Sequence, residues 1–223
     1  MKKIDFSDRI KAIAPGLKIL KIEASVKNEA TSEALWQEIE TAAEELQQKY
    51  DLPTLNKRIS IASTRRAYKA LGKDPNRYRP SAEALGRRIL NGKGIYRLLT
   101  LIDIVNLISI QTGYSIGGFD ADKIDGDKLL LDAGNSQDMF NAIGRGILNI
   151  EGLPVYRDKT GGIGTPTSDE ERTKLTEDTK HFLMLVNIYG EEDSPEEVES
   201  MTKSLLEKYA DLEDYHSEII SIS

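Results

Sequence analysis

The stretch "LLTLIDIVNLISIQTGYSIGGFDADKIDGDKLLLDAG", Leu98 to Gly134, changes its repeat half-way, and the change decides the fold class. From Arg97 to Thr112 apolar residues recur at helical spacing until Gly113 stops them; beyond it the pattern is that of strands. Asp125-Gly126 marks a turn before the apolar run Leu129 to Leu131. The helix is the most apolar in the chain, yet Asp103 and Asn106 interrupt it and it falls short of the roughly 20 apolar residues a bilayer span needs. It reads as a buried helix with Asn106 hydrogen-bonded, because a buried unpaired amide costs about 1–3 kcal/mol.

Working outward, residues 17–26 read as a strand, and Thr31 to Tyr50 as a helix with Leu35, Ile39, Ala42 and Leu46 on one face. A second helix covers Ile59 to Leu71, closed by Gly72, and a third runs from Ser81 to the glycines of "NGKG". "LPVYR" and "HFLMLVNIY" read as strands. The last helix opens on Ser194-Pro195-Glu196-Glu197, a capping box with proline at the first helical position. Partly segregated helices and strands predict an α+β fold. The 223 residues are expected to form one domain, 1–223, with a strand-helix extension over 1–56 and a C-terminal helix over 194–223.

Composition narrows the chemistry. With no cysteine there is no disulfide, thiol nucleophile or thiolate metal site, and His181 and His216 are far apart, so neither metal nor cofactor is expected. His181 falls in a strand and reads as structural. "MKKIDFSDRI" lacks the apolar core of a signal peptide, which predicts a cytoplasmic protein without membrane contact. Neither G-x-G-x-x-G nor a Walker loop is present, so nucleotide hydrolysis has no support.

The charge is uneven. Between Lys57 and Arg97 stand twelve Lys or Arg residues against two acids, Asp74 and Glu83, in a chain whose formal net charge is -7. A basic face on an acidic body attracts an anionic partner locally; the competing reading is solvated helix faces paired with acids elsewhere. Arginine forks match phosphate oxygens and tyrosines stack on bases, which singles out Arg65, Arg66, Tyr68, Arg79, Arg87 and Arg88 as candidate RNA-binding residues. Some of these arginines instead fit a role holding the fold through carboxylates and carbonyls. Two further stretches concentrate polar or glycine residues. "GIGTPTSDEERTKLTEDT" gathers Ser168, Asp169, Arg172 and Thr173, a density suited to a ligand pocket, although Ser168 and Glu171 also have capping-box spacing. In "GYSIGGFDADKIDG", Gly117 and Gly118 allow a close approach of backbone or ligand ahead of Asp120.

The run from Ala67 to Asp127, "AYKALGKDPNRYRPSAEALGRRILNGKGIYRLLTLIDIVNLISIQTGYSIGGFDADKIDGD", followed by "GRGILNIEGLPVYRD" and "TPTSDEERT", resembles the B3/B4 editing domain of the phenylalanyl-tRNA synthetase β subunit, and most closely its free-standing relatives. The likeness covers roughly Arg65 to Gly190. It implies a mixed sheet covered by helices and a pocket that hydrolyses a misattached amino acid from tRNA by positioning water. The positions that match the family's motifs are Arg66, Tyr68, Arg79, Ser81, Glu83, Arg87, Asn106, Gly117, Asp120, Ser168, Asp169, Arg172 and Thr173. Free-standing relatives tend to carry Gly-Glu before the aromatic residue that precedes "IG"; here "NSQDMFNAIG" offers Asp138 instead.

The resemblance therefore implies tRNA or aminoacyl-tRNA as partner, not DNA, and a trans-editing ester hydrolase. Asp169 would orient the water, Arg172 would orient Asp169, and Asp120 is the second carboxylate. Backbone N–H groups near Gly117 and Gly118 would stabilise the oxyanion. Ser81, Asn106, Gly117, Gly118, Asp138, Ser168 and Thr173 would line the pocket. A non-catalytic module for RNA or an amino-acid-like ligand, and an unrelated small-molecule reaction on the same fold, stay open as alternatives.

Overall fold

The computed structural model describes residues 1–190 and 194–222. In chain order the elements are β1 (Lys3–Phe6), α1 (Asp8–Ile13), β2 (Lys18–Ser25), α2 (Glu33–Lys49), α3 (Ile59–Ala70), α4 (Ser81–Leu90), α5 (Thr100–Thr112), β3 (Ile116–Asp120), β4 (Lys128–Ala133), β5 (Asn141–Ala142), β6 (Gly146–Ile147), β7 (Pro154–Arg157), β8 (Gly162–Gly164), β9 (His181–Ile188), α6 (Pro195–Tyr209) and β10 (Asp214–Ser221). One four-stranded sheet is antiparallel, in the order β10-β2-β9-β3; the other is mixed, in the order β1-β4-β7-β8, with β1 parallel to β4. The short hairpin β5-β6 stands apart. The fold is α+β.

Side-chain alternation along β9 explains the layering. Phe182, Met184, Val186 and Ile188 join the core beneath α2, α4, α5 and α6, whereas Leu183 and Leu185 join a second core that reaches the mixed sheet through Leu129, Leu131 and Tyr156. A strand buried on both faces reads as a continuous apolar run, which is why "HFLMLV" shows no alternation. The layers are helices, antiparallel sheet, mixed sheet. A third cluster, with Tyr68 of α3 against Phe140 and Val155, covers part of the mixed sheet's outer face.

The junction of α5 and β3 falls where the sequence puts it. Gly113 ends α5 in the left-handed region, at φ 78°, and a Cβ there would stand 2.5 Å from Ser60 Oγ, so only glycine fits. Leu101, Ile104, Leu107 and Ile108 of α5 are buried. The expected turn at Asp125-Gly126 is present, with Gly126 at φ 85°.

Three expectations are corrected. Residues 1–56 are no appendage: β2 lies inside the antiparallel sheet, between β10 and β9. The C-terminal segment is not helical throughout, because β10 follows α6 and pairs with β2 along eight residues; Ser223 lies outside the described residues. Lys21, only 3% exposed, fixes this register by an ion pair to Glu218 at 2.8 Å, and Tyr215 packs against the helical core. At α6 the proline takes the first helical position, but Ser194 makes no capping bond and instead donates its hydroxyl to Glu196.

A candidate ligand cavity beside an arginine cleft

A cavity of about 450 Å³ opens between α4, α5, the edge of β3, the β5-β6 hairpin and the segment after β8. Leu85, Leu98, Ile102, Val105, Ile116, Ile143 and Leu175 give it apolar walls; Ser81, Asn106, Ser109, Gly118, Asp169 and Lys174 supply the polar groups. The loop of residues 164–169 turns Asp169 back into it. Thr165 Oγ1 accepts from the N–H groups of Thr167 and Ser168 and donates to the Ser168 carbonyl, closing a tight turn. The Pro166 carbonyl accepts from Ser81 N–H at 2.7 Å, tying the loop to the start of α4. Gly164 is required here: a Cβ would stand 2.5 Å from the Phe119 ring and 2.7 Å from Asp169 Oδ1.

Asp169 is the one carboxyl on the cavity wall among the described residues. Its side chain makes one hydrogen bond among the described residues, Oδ2 accepting from Gly118 N–H at 3.3 Å, and no basic side chain pairs with it. Lys174, on the same cavity, is taken by Glu171. Burial pushes the Asp169 carboxyl up to about 8, with the Gly118 N–H opposing only in part. Surface contact is retained through the cavity itself. Asn106 stands on the wall one helical turn from Asp103, whose Oδ2 accepts from Thr31 at 2.5 Å and from Leu98 N–H at 2.9 Å. Asn106 faces that carboxyl without full hydrogen-bond geometry, since Asp103 Oδ1 is buried with no hydrogen-bond partner.

On the other side of α4 lies a second cleft of about 320 Å³, lined by Arg77, Arg79, Arg87 and Arg145 with Tyr78 and Thr167. Arg87 is held by Glu83 at 2.8 Å, and Arg77 lies 5.6 Å from the centre of the Tyr78 ring. Arg79 and Arg145 are exposed. Cavity and cleft share three elements: α4 gives Ser81 and Leu85 to one and Ala84 and Arg87 to the other; the hairpin gives Ile143 and Arg145; the 164–169 loop gives Asp169 and Thr167.

The residues singled out from the sequence divide accordingly. Asp169, Ser81, Asn106 and Gly118 meet in the cavity, and Gly117 lies directly beside it, a Cβ there standing 3.5 Å from Asp169 Oδ1. The Gly118 N–H, expected as an oxyanion donor, is already given to Asp169. Asp120 is elsewhere, buried and bonded to Thr179 Oγ1, Lys123 and the Asp122 N–H. Arg172 does not reach Asp169; its guanidinium donates to both oxygens of Asp158, at 2.8 and 3.0 Å. Asp138 is bound by Arg157 outside the cavity. Ser168 and Thr173 do not line it either. The capping-box spacing of Ser168 and Glu171 is unused, because Glu170 caps the short turn that follows by accepting from Arg172 N–H.

Among the basic candidates, Arg79 and Arg87 line the cleft. Arg65 is spent internally, on Glu83 at 2.6 Å, Asn76 and the Pro75 carbonyl. Tyr68 is fully buried with its hydroxyl 2.8 Å from Thr167 Oγ1, so its ring is not open to a base. Arg66 is exposed on a different cleft beside Lys57 and Tyr189, and Arg88 lies over the Tyr96 ring at 4.2 Å. Arg145 was not singled out; its only signal is a lone arginine between the two glycines of a hairpin turn.

Helices over an antiparallel sheet, a mixed sheet behind it, and an acid-floored cavity across one helix from an arginine cleft define an α+β domain with two adjoining clefts. Residues 63–205 match the family described as the B3/4 domain, and the chain belongs to that family. The match spans every residue that lines the cavity and the cleft. The chain is also similar to the crystal structure of an N-terminal fragment of the phenylalanyl-tRNA synthetase β-subunit from Pyrococcus horikoshii, at 15% identity and a TM-score of 0.48, over 97% of this chain and 50% of that one. It thus spans half the length of that chain. No curated protein matches it in sequence.

Proposed function

We propose that this domain binds the aminoacylated end of a tRNA and hydrolyses the ester, acting on tRNAs that carry the wrong amino acid. The observation that carries the reading is the shared wall: one helix, one loop and one hairpin separate an apolar cavity with a single carboxyl from a cleft with four arginines. A ligand that is a small apolar group at one end and a phosphodiester chain at the other spans both. Arg77, Arg79 and Arg145 take phosphate oxygens, and the amino acid enters the cavity.

In the chemical step Asp169 takes a proton from water as the water oxygen attacks the ester carbonyl carbon. The bond from that carbon to the ribose oxygen then breaks, and the proton passes to the ribose oxygen. A carboxyl with a pKa of about 8 suits this task, because a base with affinity for protons near the working pH combines strength with a usable ionised fraction. Arg172 and Asp120, held by partners of their own, have no part in it. The experiment is to incubate the protein with tRNAs bearing correct and incorrect amino acids and follow ester loss for wild type, Asp169→Asn and Asp120→Asn. Faster loss with wild type and Asp120→Asn, and none above background with Asp169→Asn, is expected. Equal loss with and without protein for all substrates leaves the non-catalytic binding module as the reading.

A further inference from the structure

Resting on the reading of the cavity as an aminoacyl site, we infer that Asp169 recognises a free α-ammonium group, so the cavity accepts amino-acid derivatives with an unmodified amine, an apolar side chain and a neutral carbonyl end. Three observations lead here. First, Asp169 lines the cavity and its Oδ1 has no hydrogen-bond partner among the described residues; Oδ1 lies against Gly117 and Gly164, at each of which a Cβ would stand within 3.5 Å of it. A carboxylate offers about four lone-pair sites, and the protein fills one. Second, no cation of the described residues pairs with it, so a cationic partner for its ionised form is left to the ligand; Lys174 is held by Glu171. Third, the surrounding walls are branched aliphatic side chains from four elements, Leu85, Ile102, Val105, Ile116 and Leu175 among them.

Each part of the ligand follows from these groups. An ammonium supplies the missing counter-charge and hydrogen-bond donors in a low-dielectric site, where such a pair is strong and its absence costly. Acetylating the amine removes the charge and adds bulk next to a wall in which glycines leave little space. A free carboxylate on the ligand would bring a second negative charge beside Asp169 with no cation to meet it, so an ester or amide is preferred over the free acid. The aliphatic walls take the side chain by burial, at about 25 cal/mol per Å². Pairing also favours the ionised form: the ligand's own ammonium brings the Asp169 carboxyl down from its ligand-free value. The remaining lone pairs still reach water.

The test uses small probes and no tRNA, so it can succeed or fail independently of hydrolysis. Leucinamide, N-acetyl-leucinamide, leucine and glycinamide are titrated into the intact protein at pH 7.5, with binding read by calorimetry and by amide shifts of Gly117 and Gly118. Leucinamide is expected to bind at least about tenfold more tightly than each of the other three, the factor one lost charge-assisted contact gives. Asp169→Asn is expected to bring leucinamide down to the N-acetyl level. N-acetyl-leucinamide or leucine bound as tightly as leucinamide overturns the inference, as does absence of leucinamide binding. The four-ligand comparison on the unmodified protein decides it even if the variant fails to fold. Tight leucinamide binding with no ester hydrolysis would retain the inference and remove the hydrolase.

Discussion

The two sides of α4 treat charge in opposite ways. Beneath its outer face Glu83, fully buried, is flanked by Arg65 at 2.6 Å and Arg87 at 2.8 Å, while on the cavity side Asp169, from the segment after β8, has a single backbone N–H and no cation among the described residues. Both are enclosed carboxyls within the same family match. The difference is one of pairing: Glu83 is locked between two arginines of the fold, whereas no cation among the described residues meets Asp169.

Removing the paired carboxyl is the largest blow to stability. Glu83→Ala strands Arg65 and Arg87 and should cost about 3–5 kcal/mol in chemical denaturation; a loss below about 1 kcal/mol would break the comparison from the architectural side. Asp169→Asn is expected to act in the opposite direction. The folded-state pKa of about 8 lies above the ordinary carboxyl value of 3.8, so folding binds a proton between those limits and wild-type stability declines as pH rises through them. The melting temperature of Asp169→Asn should therefore match wild type near pH 3 and exceed it by a growing margin up to about pH 8, with a plateau beyond. A variant less stable than wild type at pH 9 would mean that the carboxylate has a partner.

Tyr68→Phe sharpens the point for the basic segment. It removes a buried hydroxyl that shares a hydrogen bond with Thr167, and about 1 kcal/mol should be lost, with tRNA binding unaltered. Smallest of all in stability are Arg79→Ala and Arg145→Ala, which should leave the melting temperature unchanged. Their effect appears in tRNA titrations over a salt series, where each is expected to reduce the log-log slope by about one. Unchanged slopes in both would take phosphate contacts away from the cleft.

How much of this was legible in the sequence depends on whether the signal is local. The end of α5 was, because a left-handed residue after an apolar helix calls for glycine, and Gly113 is there. β10 was not: "DYHSEIIS" is largely exposed and polar, and it becomes a strand because β2 offers it an open edge and Lys21 a counter-charge for Glu218. The spacing of Ser168 and Glu171 satisfied a capping rule that the chain does not use, since Glu170 caps the turn that follows. Twelve basic residues between Lys57 and Arg97 were countable, but Arg65 and Arg79 look alike until Glu83 is seen to take one of them.

The sequence by itself determined the α+β order of elements, the helix-to-strand switch at Gly113 and the concentration of positive charge, because periodicity, glycine conformation and composition act over a few neighbouring residues. Which carboxyl is free and which arginines face solvent was decided only in three dimensions. Asp169 lies 51 residues from Gly118 and Glu83 lies 18 from Arg65. Desolvation and pairing depend on what the fold brings to within a few ångströms, and no local pattern encodes that distance.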